Sequence, residues 1–164
     1  MQDQPTGRIW LALLLAIVLQ TTLFARVTPF GAHIDLPLLT VVSIGLLLGW
    51  EWGAGYGLAA GLLMGVYVPT SIGSFALSRL VAGGVIGLFD KGFSRDNPLA
   101  PPLCAAGATA GAALLFFIMA PTEFSFGFLA QKTGAAMLSH ALLIWPVHAL
   151  MLRFVVPQPR RFGV

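Results

Sequence analysis

Apolar residues run along this chain in long blocks, separated by short polar or proline-bearing gaps. The blocks predict six membrane segments, at about residues 9–24, 36–48, 53–68, 74–89, 99–119 and 133–156 of a single domain covering 1–164. Pro37 suits the first turn of the second segment, and Pro69 ends the third. Pro98, Pro101 and Pro102 introduce the fifth, and Pro157 and Pro159 close the sixth. A spanning helix needs about 20 residues, so the second, third and fourth segments are short. Either they extend into the adjoining loops, or some are re-entrant or thin the bilayer locally. An unpaired backbone group in lipid is costly, which favours helices throughout. Barrel strands would alternate apolar and polar residues over about ten positions, and that pattern is absent. The expected fold is an all-α compact bundle of six transmembrane helices.

Within these blocks glycine recurs at every fourth position: Gly45, Gly49, Gly53, Gly57, Gly61 and Gly65. Gly costs roughly 1 kcal/mol against Ala in a soluble helix, but in a membrane it lets helix backbones approach closely. Trp50-Glu51-Trp52 reads as a tight turn that divides the ladder between two helices. Each four-residue step turns about 40° past a full turn, so Gly53 to Gly65 sweep too wide for one straight seam. That suits a right-handed crossing or a helix wedged between two neighbours. The ladder reads mainly as internal packing. A groove for a partner helix, on the third segment or at Gly83, Gly84 and Gly87 of the fourth, is the alternative.

Composition agrees with a membrane setting. Of 164 residues, 57% are hydrophobic and 9% charged, with a mean hydropathy of +0.88, whereas soluble domains carry about 25% charged residues. The net charge of +3 is better explained by orientation than by nucleic acid. With the N-terminus inside, Arg8, Lys91, Arg95, Arg153, Arg160 and Arg161 lie on the inner side, and Arg26 and Lys132 on the outer. Six against two obeys the positive-inside rule and places both termini in the cytoplasm. Trp10, Trp50 and Trp52 fall at segment ends, as an interfacial belt requires, while Trp145 precedes Pro146, which should bend the sixth helix. Arg8 and the apolar run after it resemble a signal peptide, but no small-residue cleavage site follows. The expectation is a retained first helix. The single Cys104 excludes an internal disulfide and any paired-cysteine motif.

Few ionisable residues remain to carry chemistry. Arg79 is the candidate intramembrane polar site, since such a residue is a functional hypothesis by default. It either snorkels to the outer headgroups, pairs within the bundle, or lines a cavity. Asp35 stands where a carboxylate caps the second helix. His140 and His148 are eight residues apart, about 12 Å along an axis, too far to share a metal, and polar contacts to neighbouring helices suit them better. His33 falls in a solvated loop. Ser43, Ser78 and Ser139 have no matched base, and no phosphate loop or zinc-protease motif occurs. No catalytic, cofactor or metal site is expected. The stretch Pro121 to Gln131 reads as an outer loop whose Phe124, Phe126 and Phe128 meet the membrane surface or a partner.

A set of short motifs points further. Leu19-Gln20-Thr21-Thr22-Leu23 is followed by Gly31 and Ile34-Asp35-Leu36, then Gly57, Gly61-Leu62-Leu63 and Gly65, then Ser71-Ile72-Gly73 and Ala76-Leu77. In this order, and over essentially the whole length, the chain resembles the rod shape-determining protein MreD family of the bacterial inner membrane. Two departures are visible: Ile34 stands where the family usually has Pro, and Gly65 where it often has an acid. The resemblance implies a non-enzymatic scaffold of the cell-elongation machinery. Such a scaffold binds the single-pass protein MreC and is linked through it to the actin-like MreB and to peptidoglycan synthases. It also implies a topology similar to the substrate-binding subunits of energy-coupling-factor transporters. A small-molecule-binding subunit of that type is the alternative function. A carrier of lipid or precursor, using Lys91 to Arg95 against phosphate, is a third.

Overall fold

A computed structural model describes residues 6–67, 71–89, 97–119 and 126–155, with no statement on the side chains of 126, 128 and 129. Six helices follow one another: α1 (Thr6–Thr22), α2 (Leu36–Leu48), α3 (Trp50–Gly65), α4 (Ile72–Gly87), α5 (Ala100–Met119) and α6 (Phe126–Val155). No strand occurs among the described residues. Two boundaries differ from expectation. Trp50-Glu51-Trp52 is not a turn but the first turn of α3. The break is made by Gly49 alone, at φ 94°, which ends α2 by donating to the Gly45 carbonyl and starts α3 by accepting from the Gly53 amide. A residue with a Cβ is strained at such a φ, so a glycine can join two helices without a loop. The second difference is at α6. It begins at Phe126, so Phe126 and Phe128 lie on a helix rather than in a loop, while Phe124 lies outside the described residues. The helix also continues through Pro146.

α2 forms the axis of the bundle. From Leu36 to Leu46 every residue is buried, and all five other helices pack on it. A helix that is apolar all round belongs in the middle of a structure. One face of α2 (Leu38, Leu39, Val42, Leu46) packs with Ala82 and Ile86 of α4, Ala105 of α5 and Ile144 of α6. Its other face (Val41, Ile44) joins Ile9 and Leu13 of α1, Tyr56 and Ala60 of α3, and Met151 and Val155 of α6. At thirteen residues and about 1.5 Å each, α2 is about 20 Å long.

α3 and α4 form the most extensive helix pair, and glycine is the reason. A Cβ on Gly53 would strike the Gly83 carbonyl, one on Gly57 the Arg79 carbonyl, one on Gly61 the Phe75 carbonyl, and one on Gly65 would lie 2.8 Å from Ile72 Cα. Each step of four up α3 is matched by a step of about four down α4. Gly83 and Gly87 return the contact, against Gly53 and against Trp50. Gly53 is wedged between two neighbours, since a Cβ there would also lie 2.9 Å from Gly45 Cα of α2, whereas the nearest contacts of Gly57, Gly61 and Gly65 are all to α4. Gly53, Gly57, Gly61 and Gly65 all face α4, and a four-residue period held along one seam is the hand of right-handed wrapping. Gly84 makes only ordinary contact, to the Ala54 Cβ at 3.4 Å, and Gly55 of α3 faces open space.

The exterior is apolar and the interior holds the polar groups. Leu11, Leu14, Leu15 and Val18 of α1, Leu103, Leu114 and Ile118 of α5, and Leu138, Leu142 and Leu150 of α6 are exposed. Thr40, Ser43, Ser78, Arg79, Thr109, Ser139 and His140 are buried. Two helices, Ala100–Met119 and Ala130–Val155, are long and apolar enough to cross a membrane. At one end of the bundle the start of α2 meets α1, α4, α5 and α6, and there the buried polar side chains converge.

Candidate functional site

The segment Ile34 to Leu36, which leads into α2, is held by side chains from three other helices, α1, α4 and α6. Gln20, near the end of α1, uses both ends of its amide: Nε2 donates to the Ile34 carbonyl at 2.7 Å, and Oε1 accepts from the Leu36 amide at 2.9 Å. Asp35 is the N-cap of α2, with Oδ1 accepting from the Leu38 amide at 3.0 Å. This satisfies one of the orphan donors of the first turn. Its other carboxylate oxygen accepts from Arg79 Nη2 of α4, forming an ion pair. The Asp35 amide donates to His140 Nε2 of α6 at 2.8 Å.

These bonds fix the state of His140. Because Nε2 accepts, the ring proton sits on Nδ1. Nδ1 lies 2.7 Å from Thr109 Oγ1 of α5 and donates to it. Thr109 in turn donates to the Ala105 carbonyl at 2.7 Å, the back-bond that threonine makes inside helices. A single directed chain thus runs from the Asp35 amide through a neutral imidazole to the backbone of α5.

Arg79 is 2% exposed and Asp35 27%. The Phe75 ring lies 4.6 Å from the Arg79 guanidinium carbon and covers it, a cation–π contact that strengthens as water is excluded. Phe75 is itself met edge-on by Phe116 of α5 at 4.9 Å. Arg79 Nε is buried without a hydrogen-bond partner. Arg79 therefore does not snorkel; it pairs inside the bundle. Removing the Asp35 charge would leave the buried Arg79 unpaired, at a cost of about 3–5 kcal/mol.

Beside this hub lies a cavity of about 500 Å³. Asp35, Arg79 and His140 form its polar wall, and Phe75, Phe116 and Phe117 its aromatic wall. A second, apolar groove of about 420 Å³ runs between α4 and α5 past Val81, Val85, Leu103 and Gly107.

The candidates named from the sequence separate cleanly. Arg79, Asp35 and His140 come together, while His148 does not join them, its Nδ1 buried without a partner. His33 is exposed at the cavity mouth. Gly53, Gly57, Gly61, Gly65, Gly83 and Gly87 face one another across α3 and α4, so their small faces are occupied within the chain. Gln20 and Thr109 were not singled out for their polarity. A polar side chain in an apolar helix is costly unless bonded, and that signal was available at both.

The chain matches no protein-family profile, no curated protein and no solved structure. The fold and the site define an all-helical protein with an apolar skin and an internal polar hub, two of its helices being long enough to cross a membrane.

Proposed function

We propose that the chain is a six-span inner-membrane scaffold of the MreD type, which binds an MreC-like single-pass protein and supports lateral wall synthesis. The observation that carries this reading is where the resembling motifs meet. Gln20 of the first motif bonds directly to Ile34 and Leu36 of the second. Gly57, Gly61 and Gly65 of the third seat against Arg79, Phe75 and Ile72, on and beside the Ser71-Ile72-Gly73 and Ala76-Leu77 motifs. The motifs that carry the resemblance thus meet at two joints. On this reading the four shorter helices cross a bilayer thinned or tilted around them, and Arg8 and Arg153 mark the inner end, opposite Arg26 and Lys132. The other inner cations, Lys91, Arg95, Arg160 and Arg161, lie outside the described residues. Depletion of the chain in its native host tests the role. Cells should lose rod shape and lateral wall incorporation; rods that keep both would contradict it.

A second reading, the binding subunit of an energy-coupling-factor-type transporter, is favoured by the cavity beside Arg79, which opens at the proposed outer end. Its size falls within the ordinary range of ligand pockets, about 300–1,000 Å³. Protein purified from native membranes and analysed by mass spectrometry would carry a stoichiometric small molecule if this reading holds, and none if it fails.

A further inference from the structure

At the opposite end of the bundle a second cleft, of about 240 Å³, is lined by Trp10, Glu51, Trp52, Gly55 and Tyr56. Four of these come from the first two turns of α3, where residues four apart share a face. Glu51 and Gly55 form one strip, and Trp52 and Tyr56 the next. The Tyr56 ring stacks on Trp52, with centroids 6.0 Å apart and planes 17° apart. It meets Trp10 of α1 at 5.1 Å and 60°. Gly55 leaves the space open, since a Cβ there would meet no atom within 4 Å.

Each residue alone has an ordinary explanation. Glu51 suits a helix N-terminus, and tryptophans suit an interface. Together they make something more specific. Two indoles, a phenol and a carboxylate line one cleft. Tyr56 is 5% exposed, and its hydroxyl is buried without a hydrogen-bond partner. Aromatic faces attract organic cations, and the carboxylate adds charge of the matching sign. Among the described residues the chain's own cation–π contact lies elsewhere, at Arg79 and Phe75. The nearest described cation along α1, Arg8, is exposed and does not line the cleft.

We infer that this cleft binds an alkylammonium group, the chemistry shared by free choline-like cations and by amine-bearing lipid headgroups. The site is independent of the hub at the other end and of the scaffold reading. Trp10 and Trp52 themselves report on it by fluorescence. The probes are choline and its uncharged carbon isostere 3,3-dimethyl-1-butanol, titrated into the full chain in phosphatidylglycerol nanodiscs. Choline should give a saturable change, and the isostere should bind roughly tenfold or more weakly, as expected when the cation supplies the attraction. Glu51→Gln should weaken choline binding by roughly threefold to tenfold, and Trp52→Leu should abolish it. Trp10→Phe keeps an aromatic face, so it should retain binding with a smaller signal, which separates loss of the site from loss of fold. Nanodiscs containing phosphatidylethanolamine distinguish the source. Weakened choline binding there identifies a lipid headgroup as occupant, and unchanged binding identifies a free cation. No saturable response, equal binding of the isostere, or full binding by Glu51→Gln would each overturn the inference.

Discussion

Asp35 carries more structure than its position in the sequence suggests. Its two carboxylate oxygens serve different helices, one capping α2 and the other pairing with Arg79 of α4. Its amide holds a histidine of α6. The cap was legible, because an acid just before Leu36-Pro37 has a local role that spacing alone reveals. The pair was not, because residues 44 positions apart meet only once α2 and α4 are packed. Replacing the carboxylate alone should therefore cost far more than replacing both. Asp35→Asn, which leaves the buried Arg79 unpaired, should destabilise the protein by about 3–5 kcal/mol. Arg79→Met with Asp35→Asn, which keeps a capping oxygen, should recover a large part of that loss. A double-mutant cycle on thermal unfolding in detergent measures the coupling, and simple additivity would refute the pairing. His140→Phe should also destabilise, by about 1–3 kcal/mol, because it orphans the Asp35 amide.

Between elements, the decisive contacts are between backbones. The period of four in the glycine ladder was plain from the sequence. The expectation that it swept past a single neighbour assumed straight helices. α4 instead follows the drift, so Gly53 through Gly65 stay on one seam. The break between α2 and α3 falls at Gly49 and not at 50–52, because its physical cause is the positive φ of a single glycine, which leaves no mark in the hydropathy pattern. Glycines on and off the seam should respond oppositely. Gly57→Ala and Gly61→Ala should push α3 and α4 apart and destabilise by several kcal/mol, within the range of about 1–3 kcal/mol or more for overpacking. Gly55→Ala and Gly107→Ala have open space around them and should be neutral or stabilising by up to about 1 kcal/mol. Gly49→Ala should cost about 1–2 kcal/mol through backbone strain. Unfolding midpoints of the five variants provide the comparison, and equal responses on and off the seam would contradict the packing described.

Across the whole molecule, the apolar exterior and polar interior are arranged as lipid requires. The six apolar blocks were readable because each is long and nearly free of charge. Among the described residues α5 and α6 are long and apolar enough to cross a membrane, while α1, α2, α3 and α4 are shorter than the usual span. The ladder glycines, whose alternative role was a partner groove, are occupied internally, and apolar surface free to meet another chain is found on exposed faces of α1, α5 and α6 and in the α4–α5 groove. On the proposed six-span reading, reporter fusions at the two termini should both signal the cytoplasm, and a split result would refute that reading. The scaffold reading is tested most directly by affinity purification of the intact chain from native membranes under mild detergent. It predicts a stoichiometric single-pass partner with a coiled-coil stalk and a domain outside the cytoplasm. Recovery of the folded chain without any such partner would contradict it.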